Sequence, residues 1–146
     1  MPPAADLADE REIEGLFDRH RAERGRLDVL VNNAGVGIGE SAAKITTKSL
    51  DLQLAVNLRA VILATREGLP MLGKTGTEHG KALHLNVASL AGKSGQPWIS
   101  VYAATKAAVI NFTESVQEEE EAEQQLPASA CKRARVAITR SVAGVK

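Results

Sequence analysis

The chain has 146 residues, and its 18 Lys and Arg balance 18 Asp and Glu. That is one ordinary domain at most, long enough to bury a core. A net charge of zero argues against nucleic-acid or anionic-membrane binding driven by bulk charge. Aromatics are only 3% of the residues, so the core must come from Ala, Val, Leu and Ile. Cys131 is the only cysteine, which excludes an intrachain disulfide and a cysteine-based zinc site. No metal site is expected. The opening Met1-Pro2-Pro3-Ala4-Ala5-Asp6 lacks the apolar core of a signal peptide. No run of about 18 apolar residues exists, so no transmembrane helix is expected, and the expected location is the cytoplasm.

Residues 9–24 read as a helix, with Ile13, Leu16 and Phe17 at i, i+3 and i+4 and with acids preceding bases; Gly25 stops it. Leu27-Asp28-Val29-Leu30-Val31 reads as a short buried parallel strand. The polar, Gly-rich turn Asn32-Asn33-Ala34-Gly35-Val36-Gly37-Ile38-Gly39 follows it. Residues 49–71 read as a long helix with a broad apolar surface, and Leu69-Pro70 predicts its end or a kink. Residues 73–80 read as a polar loop. Ala82-Leu83-His84-Leu85-Asn86-Val87-Ala88 is a second buried strand, residues 89–97 form a loop, and residues 101–121 form a second long helix. Glu118 to Glu121 are four consecutive acids, expected at a solvated helix end. Lys132-Arg133-Ala134-Arg135 reads as a short basic surface patch, and Val136-Ala137-Ile138 as a last short strand. The order α-β-α-β-α, with helices long enough for crossovers, predicts an α/β fold whose parallel sheet is covered by helices.

In open α/β sheets, ligands bind beyond the carboxyl ends of the strands. Both strands here run into chemically unusual loops. The first ends in two amides and a glycine, which let a ligand approach the backbone closely. The second ends in Ser89. Thirteen residues later, Tyr102 opens a Y-x-x-x-K spacing with Lys106. On a helix, residues i and i+4 share a face at roughly 5–6 Å between Cβ atoms. An ammonium that close favours phenolate over phenol, so the two can form a proton-transfer pair. Alone, the same spacing also fits a helix with one core aromatic and one solvated lysine. Asn57 lies inside the long helix, in apolar surroundings. A specific polar task and a satisfied core amide both account for it.

Taken together these residues resemble the short-chain dehydrogenase/reductase family. The segment from Leu27 to Gly35 is similar to the family's strand leading into its N-N-A-G motif. Asn57, twenty-four residues past Asn33, matches the active-site asparagine. Leu85-Asn86-Val87-Ala88-Ser89-Leu90-Ala91-Gly92 resembles the serine segment, and Tyr102-x-x-x-Lys106 the signature pair. Asp6-Leu7-Ala8-Asp9 is similar to the acidic turn that contacts the adenine ring. The likeness spans about residues 5–117 of what reads as a single domain, and 118–146 diverge.

The resemblance implies an incomplete Rossmann-type doubly wound sheet and NAD- or NADP-dependent interconversion of a carbonyl and an alcohol. Tyr102 would be the acid and base. Lys106 would lower the tyrosine's pKa and bind the nicotinamide ribose. Ser89 would donate to the substrate oxygen, and Asn57 would hold a water connecting Lys106 to solvent. Asp6, Leu7, Asn33, Ala34 and Gly35 would line the adenosine side of the cofactor. The implied partner is a small-molecule substrate, with no nucleic acid or membrane; a homo-oligomer would form through the two long helices.

The family's opening strand and T-G-x-x-x-G-x-G turn, which hold the pyrophosphate, have no counterpart in this sequence. Gly35-Val36-Gly37-Ile38-Gly39 lacks that spacing. About two strands and two helices of the family pattern are not matched. After residue 121 the chain runs into Gln124-Gln125-Leu126-Pro127, and Ala143-Gly144 stands where a Pro-Gly turn is expected. Two functions therefore stay open: an oxidoreductase, or a non-catalytic remnant that associates through its long helices.

Overall fold

The computed structural model describes residues 4–124 and 132–139, the latter through their backbone. Helix α1 (Glu10–Arg24) starts where the Asp9 carboxylate accepts from the Arg11 N–H and ends at Gly25, whose φ of +68° suits glycine. Glu10 and Glu12 lie in its first turn and Arg21 and Arg24 in its last, the order that complements the helix dipole. Strand β1 (Val29–Asn32) follows. Helix α2 (Thr47–Leu54) is capped by Thr46 and passes through a π-helical turn, Ala55–Arg59, into α3 (Ala60–His79). Strand β2 (Ala82–Ser89) leads through a short 3₁₀ turn, Leu90–Gly92, towards α4 (Ser100–Gln124), and β3 (Lys132–Thr139) comes last.

The three strands form one parallel sheet in the order β1-β2-β3, with Val31 opposite Leu85 and Asn86 opposite Val136. The expected α/β class, with a small parallel sheet and flanking helices, is what the chain adopts. Alternation sorts the β1 side chains. Leu30 joins a core of Ile13, Phe17, Leu27, Ala60, Leu63, Met71 and Leu72, built where α1 and α3 meet the sheet. Each fully buried member of that size contributes about 1.5–3 kcal/mol. Val29 and Val31 point the other way and are 50% and 48% exposed. A parallel sheet normally has both faces covered, so this face of β1 is open. Glu10 and Glu14 of α1 pair with Arg59 and Arg66 over the outside of the core, and such half-exposed pairs add at most about 1 kcal/mol each.

The structure corrects several expectations, among them a fully buried first strand, whose Val29 and Val31 are half-exposed. The helix does not end at Pro70, and residues 73–80 are not a loop: α3 runs on to His79 and stops at Gly80. Met71, Leu72, Gly73, Thr75 and Gly76 are all buried there. Packing of that last stretch outweighs the hydrogen bond that Pro70 removes and the weak helix propensity of two glycines. The strand over Val136-Ala137-Ile138 begins earlier, at Lys132. Of the four acids, Glu118, Glu119 and Glu121 are exposed, as a solvated helix end requires, but Glu120 is buried. Cys131, the Gln125-Leu126-Pro127 stretch, Ala143-Gly144 and the side chains of the basic patch lie outside the described residues. No helix among the described residues is long and apolar enough to cross a membrane, and no cluster of His, Cys, Asp and Glu there could hold a metal ion.

Between β1, β2 and α3 lies a buried polar network. The Asn32 amide donates to Asn86 Oδ1 at 2.8 Å and lies 3.3 Å from His84 Nε2. The Thr65 hydroxyl donates to the Val61 carbonyl and sits 3.1 Å from the same nitrogen. His84 Nδ1 is buried without a hydrogen-bond partner. Protonation would add a second N–H where no acceptor waits. Burial therefore pushes the His84 pKa below its usual 6.5, against a smaller opposing contribution from Asn86.

Two outcomes follow. Below pH 6.5 the unfolded chain binds a proton that the folded chain resists, so stability falls as pH drops from 7 to 5, with a slope of up to about 1.4 kcal/mol per pH unit. Urea melts across that range should show the slope, and His84→Val should flatten it; an identical slope in the variant would refute the assignment. The second concerns Gly92. A Cβ there would lie 2.7–2.9 Å from backbone atoms of Lys106 and Ala107. Gly92→Ala should therefore force the turn off α4 and destabilise the chain by about 1–3 kcal/mol in the same assay.

Candidate active site

The polar sequence positions converge at the carboxyl ends of β1 and β2. Asn32 turns inwards to the network, whereas Asn33, Ala34 and Gly35, past the strand end, are exposed. Leu7, Asn33 and Ala34 share a cleft of about 170 Å³ with Val56 and Ala60. Asp6 does not line it. The Asp6 carboxylate accepts from the Ala8 N–H at 2.9 Å and shapes the turn that places Leu7.

Asn57 sits in the π-helical turn and is fully buried. Its Oδ1 accepts from the Val36 N–H at 2.7 Å, and its Nδ2 donates to the Val36 carbonyl at 2.8 Å and to Thr105 Oγ1 at 3.2 Å. Both amide hydrogens are thus committed to protein groups. The side chain is a clamp on the loop after β1, and any water it holds must use another of its atoms. Gln53, one turn earlier, accepts from the Ile38 N–H and steadies the same loop.

Helix α4 carries Tyr102 and Lys106. Lys106 is 4% exposed, and its Nζ donates to the Val87 carbonyl at 2.9 Å. That nitrogen lies 5.9 Å from the centre of the Tyr102 ring. Burial pulls the Lys106 pKa below the usual 10.5, because the ammonium has left water. A Cβ on Gly35 would stand 3.3 Å from Lys106 Nζ and 3.3 Å from Asn57 Oδ1. The absence of a side chain therefore leaves the ammonium open to the loop. Gly37 lies against the Tyr102 ring.

Ser89 ends β2 and is 1% exposed; its Oγ accepts from the Ala91 N–H and so retains its own hydrogen to donate. The turn it starts presses on the α4 backbone at Gly92. Just ahead of α4, Trp98 is 66% exposed and has φ +69°, a rare conformation for a bulky residue. Its carbonyl accepts from the Glu40 N–H at 2.7 Å, tying the approach to Tyr102 onto the same loop.

The structure thus brings Asn57, Tyr102, Lys106 and Gly35 together, and holds Ser89 on a turn packed against them. Sequence reasoning missed Thr105 and Gln53. The only signal for Thr105 was a hydroxyl three residues after Tyr102, a spacing that serves equally for a bond to the helix's own backbone.

Known proteins are similar to this chain in sequence and in fold. The short chain dehydrogenase family matches residues 1–143. An oxidoreductase of Sarocladium schorii is 36% identical over 110 residues, 75% of this chain and 41% of that protein. A 3-ketoacyl-(acyl-carrier-protein) reductase from Brucella melitensis, solved with NADH, superposes with a TM-score of 0.76 at 31% identity, over 82% of this chain and 50% of that one. A metagenomic short-chain oxidoreductase in complex with NADP gives a TM-score of 0.76 at 31% identity, over 93% of this chain and 56% of that one. The chain spans about two fifths of the length of the curated relative. Matched over residues 1–143 by the family's model, the chain belongs to the short chain dehydrogenase family.

Proposed function

We propose that this chain forms the proton-transfer part of an NAD- or NADP-dependent oxidoreductase that interconverts a carbonyl and an alcohol on a small molecule. The observation that carries the reading is the placement of Lys106. It is a buried ammonium, held by the Val87 carbonyl, facing the Tyr102 ring on one side and Gly35 on the other. A structural lysine has no reason to be buried with one hydrogen bond beside a glycine gap.

The residues fit a dinucleotide. The cleft beside Leu7, Asn33 and Ala34 suits a flat apolar ring such as adenine. Lys106 retains N–H donors for ribose hydroxyls across Gly35. When bound, a nicotinamide supplies or accepts the hydride. In carbonyl reduction the Tyr102 hydroxyl gives its proton to the oxygen that becomes the alcohol, and in oxidation it takes that proton back. Lys106 holds its nitrogen 5.9 Å from the centre of the Tyr102 ring during that transfer. The Ser89 hydroxyl donates to the same oxygen as negative charge develops there. Asn57 acts by holding Val36, and so the loop, in place. On the outer side of α2 and α3, an apolar groove lined by Leu54, Leu58, Ile62 and Leu63 supports a homo-oligomer paired through this helix.

A second reading, that this polypeptide by itself is non-catalytic, draws on the open face of β1. A strand with Val29 and Val31 half-exposed is an incomplete platform for a cofactor.

Titration of the chain with NADH and NADPH, followed by quenching of its single tryptophan, separates the two readings. Micromolar affinity supports the first and overturns the second. With a ketone that the chain reduces, Tyr102→Phe should lower kcat by about 10²-fold or more while nucleotide affinity changes little. Near-normal turnover in that variant would remove Tyr102 from proton transfer.

A further inference from the structure

On this reading the loop after β1 and helix α4 must stay in one register, and we infer that the Thr105 hydroxyl is the positioning group that couples them. Thr105 is 1% exposed. Its Oγ1 donates to the Tyr102 carbonyl at 2.8 Å and accepts from Asn57 Nδ2 at 3.2 Å. The same amide brackets Val36, at 2.7 Å to its N–H and 2.8 Å to its carbonyl. A continuous run of hydrogen bonds therefore leads from the loop, through Asn57 and Thr105, to the backbone of Tyr102. Gly35 precedes Val36 and faces Lys106 Nζ. A shift of Val36 moves Gly35 over that ammonium, and with it the gap through which Lys106 reaches a ribose.

The coupling needs a hydroxyl and not merely a β-branched shape. Only an oxygen that donates to one group and accepts from another can join the Asn57 amide to the helix carbonyl. Without it, one Asn57 N–H is buried with no acceptor, and the amide gains by turning away from Val36 to find one. The helix supplies its own control eight residues on. Thr113 Oγ1 donates to the Val109 carbonyl at 2.7 Å and accepts from Asn86 Nδ2 at 2.9 Å. The chemistry is the same, but Asn86 leads to Asn32 in β1 and not to the loop at Val36.

The test is amide exchange at Val36 in the full chain, measured by NMR. Thr105→Val should accelerate it at least tenfold, Thr105→Ser should keep it within twofold of wild type, and Thr113→Val should leave it unchanged while lowering the melting temperature. Thr105→Ala removes the hydroxyl without placing a methyl against the amide, and serves if Thr105→Val does not fold. Unchanged Val36 exchange in the hydroxyl-less variants, or equal acceleration by Thr113→Val, overturns the coupling. A second arm titrates NADH and NADPH against tryptophan fluorescence. Affinity should fall at least fivefold in Thr105→Val and return in Thr105→Ser; equal affinity in all three overturns a role on the cofactor side. Wild type that binds neither nucleotide, with Val36 still responding to Thr105→Val, removes the oxidoreductase reading and leaves the coupling standing.

Discussion

A buried amide must satisfy all of its hydrogen-bonding atoms, and Asn57 does so by seizing the backbone of the loop opposite. That obligation organises the site. Asparagine is a weak helix former, and here it stands in a π-helical turn, where the regular ladder has already given way. The turn directs its side chain to Val36 and Thr105 together. Had the position held leucine, the loop after β1 would have lost its anchor to the helices, and Gly35 its fixed place beside Lys106.

The parts read most directly from sequence are those whose chemistry is local. Apolar runs with strand length, Asp9 and Gly25 at the ends of α1, and the four-residue spacing of Tyr102 and Lys106 all state their structure within a few residues. What escaped was set by contacts distant in the chain. Pro70 and two glycines argue for a break, yet Met71, Leu72 and Thr75 find a core to enter, and α3 continues. Asn32 and Asn33 look alike on paper. Strand alternation sends the first inwards to Asn86, and the second, past the strand, stays exposed. Thr105 could not be told from any helical threonine until Asn57, 48 residues away, was seen to donate to it.

The sheet gives the site rigidity unevenly. On the helix side, β1 and β2 are locked by the core and by the Asn32, His84, Asn86 and Thr65 network. On the other side Val29 and Val31 meet solvent. The helix-side groups are those that position Lys106 and Asn57, so the candidate site stands on the well-packed half.

Lys106 shows why that division matters. A lone ammonium is expensive to bury, and one carbonyl from Val87 offsets only part of the loss of water. Burial lowers its pKa, so the fold works against the charge that the proposed chemistry would use. A bound group with hydroxyl acceptors at the Gly35 gap would give the remaining N–H donors partners, and would favour the charged form of Lys106. On this view the unfavourable burial of Lys106 in the free chain is itself part of the binding site. Gly92, close against the Lys106 backbone, and Asn57, clamped on Val36, hold the surroundings of that ammonium in place.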